Sequence, residues 1–211
     1  MCIRDRVNTV NIMNTANNNY HHGNLSDEIL NSAYNFVSEN GYAAMSLRTI
    51  AENCDVSATA IYRHYETKEH LLADVVVKGF IEFNIFVEGN PEANIFDKCD
   101  NYLRFAFENK NIYDLLFSQS VVEFLKFPKI LEVADSAFQT LLESVKDHDR
   151  SLNDLSASNK AIHIWSFLHG ISSISKKMDV ALALPSSEMP IPVRSVKRAR
   201  DNLRQFVEDL F

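Results

Sequence analysis

An all-α fold, with a three-helix helix-turn-helix head followed by a larger helical domain, is what the sequence predicts, on three observations. Apolar residues recur at i, i+3, i+4 and i+7 along most of the chain, the spacing of one buried helix face. Only 5 Gly and 5 Pro occur among 211 residues, which favours long helices over many turns. The stretch Ser46 to Lys68 reads as two short helices about a tight turn.

In that stretch, SLRTIAENCDVSATAIYRHYETK, the side chains of Leu47, Ile50, Ala51 and Cys54 share one face. Ser46 stands at an N-cap position, and Cys54-Asp55-Val56 interrupts the period. Ser57 then offers a second N-cap, for a helix carrying Ile61 and Tyr65 one turn apart. Helices this short need a partner. Ser26 to Asn40 supplies it, with Ser26 as N-cap, Ile29, Leu30, Ala33, Phe36 and Val37 as the apolar stripe, and Gly41 at the left-handed position past the end. Helix, helix, tight turn, helix is the helix-turn-helix plan, whose last helix lies in the DNA major groove.

Thr67 caps the next helix, Lys68 to about Glu88, whose apolar coverage (Leu71, Leu72, Val75, Val76, Phe80, Phe83, Val87) is too wide for a single stripe and predicts packing on more than one side. Glu88-Gly89-Asn90-Pro91 is the first clear break. Helices follow over about Ile95 to Glu108 and Asn111 to Phe117, then from Phe127-Pro128 to Lys146 with Ile130, Leu131, Ala134, Ala137, Phe138, Leu141, Leu142 and Val145 in helical period. A polar segment, Asp147 to Asp154, separates these from a long helix over about Ser156 to Met178. Leu184 to Pro192 is a Pro-rich linker, and a last amphipathic helix carries Val196, Ala199, Leu203, Phe206, Val207 and Leu210. Its basic residues Lys197, Arg198, Arg200 and Arg204 suit a membrane surface or nucleic acid, a reading that Asp201, Glu208 and Asp209 weaken.

Composition bounds the function. A 46% hydrophobic chain of this length can bury a real core, and no apolar stretch reaches the roughly 18 residues of a membrane span. The first 19 residues, Asn-rich and aperiodic, are expected to be a disordered tail, with MCIRDR not necessarily native. They contain no apolar run of signal-peptide length. With 3 Cys (Cys2, Cys54, Cys99), no disulfide framework is expected and a reduced cytoplasm is the natural compartment. The net charge of −7 is unlike a basic DNA-binding protein, and residues 1–80 carry 6 basic against nine acidic side chains. Weak non-specific affinity follows, so DNA binding would rest on placed contacts and on duplication by dimerisation.

From about Tyr20 to Leu72, the block LRTIAENCDVSATAIYRHYETKEHLL and the arm YHHGNL before it resemble the TetR family of bacterial transcriptional regulators. That family usually has Ala-Gly where this chain has Cys54-Asp55, and Asp is among the few other residues that tolerate positive φ. In the long helix, Trp165, His169 and Gly170 match the W-x-x-x-H-G pattern of the WHG type of TetR-like carboxy-terminal domain. The resemblance implies three parts: a tail over 1–19, a DNA-binding domain over 20–72 with its connecting helix running to about 88, and a helical effector-binding and dimerisation domain over 89–211.

Residue roles follow from the two readings together. Ser57, Ala58, Thr59, Ala60 and Arg63 lie at the start or on the open side of the second short helix, where Thr59 can bond a base edge, alanine methyls can meet thymine methyls, and Arg63 can reach phosphate or guanine. The family resemblance makes Arg48 a base or phosphate contact, and Tyr62, His64 and Lys68 mainly phosphate clamps. The arm Tyr20 to Asn24 is either a minor-groove reach or a solvated lead-in, and adjacent His21 and His22 make no metal pair. Trp165 and His169 share a helix face and, with Phe105 and Phe138, are candidates for the lining of an effector pocket; the plain alternative makes Trp165 and His169 core residues and Gly170 a packing notch. The resemblance also implies a homodimer through the last two helices, with Leu203 and Phe206 facing their copies.

These readings converge on a ligand-responsive repressor that binds double-stranded DNA at a palindromic operator as a homodimer, with a small apolar or aromatic effector. No cofactor, metal, catalytic residue or membrane partner is expected. The alternative is a DNA-binding or interaction protein that answers to a protein partner or to no ligand. An enzyme is disfavoured, because the sequence has no Gly-rich phosphate loop, nucleophile elbow or His-x-x-x-His pair. Effector, operator, regulated genes and the choice of repressor over activator are not written in the sequence.

Overall fold

Side-chain caps start the two short helices of the head and the long helix after them at the residues the sequence nominates. In the computed structural model, which describes residues 25–118 and 122–211, Ser46 Oγ accepts from the Thr49 N–H at 3.1 Å, Ser57 Oγ from Ala60 N–H at 3.2 Å and Thr67 Oγ1 from His70 N–H at 3.3 Å. Each satisfies one of the N–H groups that a helix start leaves without an intrahelical partner. The helices so begun are α2 (Leu47–Asn53), α3 (Ala58–Tyr62) and α4 (Lys68–Glu88). The arm Tyr20 to Asn24, His21 and His22, Cys2 and the tail over 1–19 lie outside the described residues.

Ser26 does not cap α1, which runs Leu25–Asn40 and so holds Ser26 inside its first turn. At its other end Gly41 has φ 78°, and its N–H reaches the Val37 carbonyl at 2.8 Å. Asp55, at φ 52°, is the positive-φ non-Gly residue among those described, and its turn is closed by Val56 N–H to the Ala51 carbonyl at 3.0 Å. The α2–α3 turn therefore keeps its left-handed geometry without glycine. Helix α3 stops at Tyr62, so Tyr65 sits beyond it. Tyr65 stays buried all the same, its N–H bonded to the Ile61 carbonyl at 2.9 Å and its hydroxyl to Asp74 Oδ2 at 3.1 Å.

Helix α4 is the axis. It packs against α1 on one side and against α5 (Ile95–Glu108), α6 (Lys110–Leu116) and α7 (Pro128–His148) on the others, as its wide apolar coverage requires. Leu71, Val75 and Val76 are fully buried, and Phe80 and Phe83 nearly so. Tyr34 of α1 donates to Glu82 at 2.5 Å, while Lys78 pairs with Glu82 at 3.3 Å and lies over the Tyr34 ring. Burial and that carboxylate push the Tyr34 phenol well above its ordinary range, so it stays a donor. A second tie runs from α6, where Asn111 Nδ2 donates to the Ser38 carbonyl of α1 at 2.9 Å.

Helix α8 (Asp154–Lys177) covers α5 and α7, and a short α9 (Asp179–Leu182) leads to α10 (Ile191–Asp201) and α11 (Leu203–Glu208). All described elements are helical, with no strand among them, and no helix among them is long and apolar enough to cross a membrane. The single terminal helix expected from the sequence is interrupted at Asn202 (φ −124°, ψ 36°). Leu203, 4% exposed, packs inward in contact with α5, and Phe206 stacks on Phe167 at 5.8 Å. Leu203 is therefore held inside the chain and not placed to face a second copy, whereas Phe206 remains half-buried. Arg200 lies over Phe107 and Arg204 over Phe96, so two of the terminal basic residues serve packing, which removes much of the surface a membrane or nucleic-acid reading needs.

Helix α4 crosses α6 at Gly79, where an added Cβ would lie 2.9 Å from Leu116 Cδ2 and 3.2 Å from Ile112 Cγ2, both on fully buried side chains. Gly79→Ala is expected to lower stability by about 1–3 kcal/mol through overpacking. Urea unfolding of the full chain measures it; an unchanged midpoint would mean that the crossing has slack.

Candidate DNA-facing helix and aromatic cavity

At the head, burial sorts the residues of α3 and its flanks into a buried anchor and an exposed face. Ile61 is fully buried and Tyr65 nearly so. Ser57, Ala58, Thr59, Tyr62, Arg63 and His64 are exposed, and Ala60 is half-buried. Tyr62 is 58% exposed, a large aromatic ring left in water although its neighbour Ile61 is sealed. Arg48 on α2 is exposed too, and its surface pair with Glu52 at 3.0 Å is worth a few tenths of a kcal/mol, weak enough to be exchanged for a nucleic-acid partner. Lys68 occupies the first turn of α4, half-buried, its pKa lowered by desolvation. Beside it the helix N-terminus offers unpaired N–H groups, a natural seat for a phosphate oxygen.

The second feature is a partly open cavity of about 800 Å³ between α4, α5, α7 and α8. Phe80, Phe83 and Val87 of α4 form one wall, Cys99 and Tyr102 of α5 the next, and Trp165, Leu168 and His169 of α8 another. Ala134, Ala137, Phe138 and Leu141 of α7 close it, with Phe117 and Phe124 at one end. Of α7's many apolar residues only Ile130 and Val145 are fully buried, because the middle of its apolar face fronts this space rather than protein. Edge-on ring contacts hold the walls: Phe83 on Tyr102 at 5.3 Å, Phe80 on Phe117 at 6.0 Å, Phe138 on Trp165 at 6.5 Å.

Of the residues nominated for the pocket, Trp165, His169 and Phe138 line the cavity. Phe105 does not: it is buried in the core between Phe83 at 5.1 Å and Phe86 at 5.5 Å. Gly170 is no packing notch within the chain, since nothing lies within 4 Å of where its Cβ would be. The residues that sequence reasoning missed are Tyr102 and Tyr113. Their hydroxyls meet at 2.9 Å, and Tyr113's meets His169 Nδ1 at 2.9 Å. Tyr102 shares a face with Cys99 and Phe105 in α5, and a hydroxyl on that apolar stripe was the available signal. Burial lowers the His169 pKa, which leaves the imidazole neutral at pH 7.

Cys99 lines the cavity as a thiol pushed up to about 12 by burial, and Cys54 is buried in the head; both are free, and neither has the lowered pKa of a reactive thiol. No cluster of three or more potential metal ligands occurs among the described residues.

Two family models match the chain. Residues 29–75 fit "Bacterial regulatory proteins, tetR family", and residues 95–187 fit "Tetracyclin repressor-like, C-terminal domain", together more than half of its length. The biofilm operon icaADBC HTH-type negative transcriptional regulator IcaR of Staphylococcus epidermidis is 27% identical over 129 residues, 61% of this chain and 63% of IcaR, so the match spans less than two thirds of that relative. A solved protein of unknown function from Rhodococcus sp. RHA1 superposes with TM-score 0.63 at 19% identity, covering 87% of this chain and 95% of the other. FadR from Bacillus subtilis, solved with stearoyl-CoA, does so with TM-score 0.57 at 18% identity over 83% and 97%. At such identities the two structures speak for the fold alone. With the helix-turn-helix head, the helical second half and both family models in agreement, this chain belongs to the TetR family of bacterial regulatory proteins.

Proposed function

We propose that this chain is a sequence-specific DNA-binding repressor of the cytoplasm that occupies a palindromic operator as a homodimer and leaves it when a small apolar or aromatic molecule fills the cavity. In this reading residues 20–72 are the DNA-binding domain, α4 the connection, and 89–211 the effector and dimerisation domain. The observation that carries it is the double duty of α4. One stretch of this helix holds the head through Asp74 to Tyr65 and Glu82 to Tyr34, and its Phe80 and Phe83 are cavity wall. A molecule that displaces those two rings tilts the helix on which the head is mounted. The large cavity favours a small-molecule effector over a protein partner.

On DNA, α3 of each protomer would enter successive major grooves roughly 34–36 Å apart, so a change in head separation directly costs affinity. Linkage then requires an inducer to bind free protein more tightly than operator-bound protein. For the dimer, α8 is the better surface than α10 and α11. Leu155, Ile162, Ser166, Gly170 and Ile174 form an outward stripe at helical spacing, in which the two small residues admit a facing helix.

The reading is tested by selecting bound sequences from random and gene-flanking DNA with the full chain, then titrating the complex with lipophilic compounds; absence of any sequence-selective binding overturns it. In the same assay Tyr62→Phe and Lys68→Ala should weaken binding to all sequences alike, Lys68→Ala also reducing the salt slope by about 1. Arg48→Ala should relax one base preference, most simply a G·C, by about 1–3 kcal/mol, visible as a flattened position in the selected sequences. Ile162→Asp with Ile174→Asp, both at exposed positions, should yield a folded monomer by sedimentation and circular dichroism that no longer holds the operator, whereas an intact dimer moves the interface off α8.

A further inference from the structure

A directed chain of hydrogen bonds ends at the cavity, and its direction can be worked out. Tyr102 is buried, and its hydroxyl has two neighbours, the Tyr113 hydroxyl at 2.9 Å and the Trp165 indole. An indole N–H only donates, so among the described residues Tyr113 is the acceptor left for the Tyr102 hydrogen. A buried hydroxyl is rarely left without one. The Tyr113 hydrogen then has two acceptors in reach, His169 Nδ1 at 2.9 Å and the hydroxyl of Ser172, whose own hydrogen goes to the Leu168 carbonyl at 2.8 Å; the imidazole nitrogen is the more basic of the two, and the hydrogen is assigned to it. Nδ1 thus accepts, and the neutral ring carries its hydrogen on Nε2.

The two ring nitrogens diverge, so Nε2 is turned away from Tyr113. His169 lines the large cavity and Tyr113 does not. No described side chain bonds Nε2, and the rings nearest His169 are those of Phe117 at 4.9 Å, Tyr113 at 5.9 Å and Trp165 at 6.1 Å. A donor held in one tautomer within an aromatic wall selects a ligand acceptor. The lining adds two carboxylates, Glu132 and Asp135, against one ammonium, Lys98, which is engaged by Ser144 Oγ at 3.0 Å; that balance disfavours an anion.

We propose that the cavity takes a neutral, apolar molecule bearing one carbonyl oxygen, a ketone, ester or amide, with that oxygen bonded to the Nε2–H of His169. The proposal rests on the cavity being the effector site and names the chemistry it selects. Tyr102 and Tyr113 are positioning residues, acting through His169.

The probes are benzophenone, its carbonyl-free counterpart diphenylmethane and the anion 4-benzoylbenzoate, titrated calorimetrically into the full chain. Benzophenone should bind about tenfold more tightly than diphenylmethane, the scale of one net hydrogen bond, and more tightly than the anion. His169→Phe should bring the ratio to about one while keeping diphenylmethane binding, and His169→Gln, which retains an amide donor, should restore part of it. Tyr113→Phe should shrink the ratio by releasing the tautomer. Long-range ¹⁵N–¹H spectra, with the His169 signal assigned by its loss in His169→Gln, should give the Nε2–H form in the free wild type, a readout that needs neither ligand nor a foldable Phe variant. Equal binding of the two neutral probes, tighter binding of the anion, or an Nδ1–H tautomer overturns the proposal and leaves the effector cavity standing. Failure of all three probes to bind overturns both.

Discussion

The broad buried face of α4 is the constraint on which the rest of the structure depends. A helix with Leu71, Val75, Val76, Phe80 and Phe83 around its circumference cannot be stable at a surface, where each such side chain would forgo about 1.5–3 kcal/mol of burial. It therefore collects several partners, α1 on one side and α5, α6 and α7 on others, and leaves only a strip with Ile81 and Ile85 exposed among its large apolar residues. Head and body are joined by one continuous element, and the contacts of one end are fixed relative to those of the other. Gly79 adds to this by letting α6 approach closely, and Asn111 on α6 carries that approach to α1.

The cavity follows from what α7 lacks. Its apolar face has the period of a core helix, yet α4, α5 and α8 stand too far apart at its middle for their side chains to fill the space. Aromatic rings span the gap at its edges, held by edge-on contacts that do not close it. A cavity with an apolar lining loses dispersion contacts on one side of every wall residue, a standing weakness in the free protein that an apolar occupant would relieve. On the proposed function, this is the source of the effector's binding energy, and the shared wall of Phe80 and Phe83 is its route to the head.

On the proposed function, the head is a groove-reading surface with little positive charge. Arg48, Arg63 and Lys68 are set among Glu52, Asp55 and Glu66 in a chain of net charge −7. A general field attracting DNA is absent from that balance. The exposed Tyr62 ring and the N-terminus of α4 offer directed hydrogen bonds in its place, and these work at contact distance.

The sequence by itself determined the local features, because each is decided within a few residues. The caps at Ser46, Ser57 and Thr67 are read from one side chain and the N–H three residues on, the left-handed turns at Gly41 and Asp55 from the few residue types that tolerate them, and the anchoring of α3 by Ile61 from its period. Ser26 is the exception: it reads as an N-cap in the sequence, yet lies inside the first turn of α1. What only the tertiary structure decided is where two faces meet. Phe105 and Phe138 are equivalent on paper; one is core and the other cavity wall, since that depends on the distance between α4, α5 and α7. The break at Asn202 turns Leu203 inward against α5, although its spacing continues that of α10. The Tyr102–Tyr113–His169 chain joins three helices, and periodicity, which reports which side of a helix is apolar, carries no information about the partner across from it.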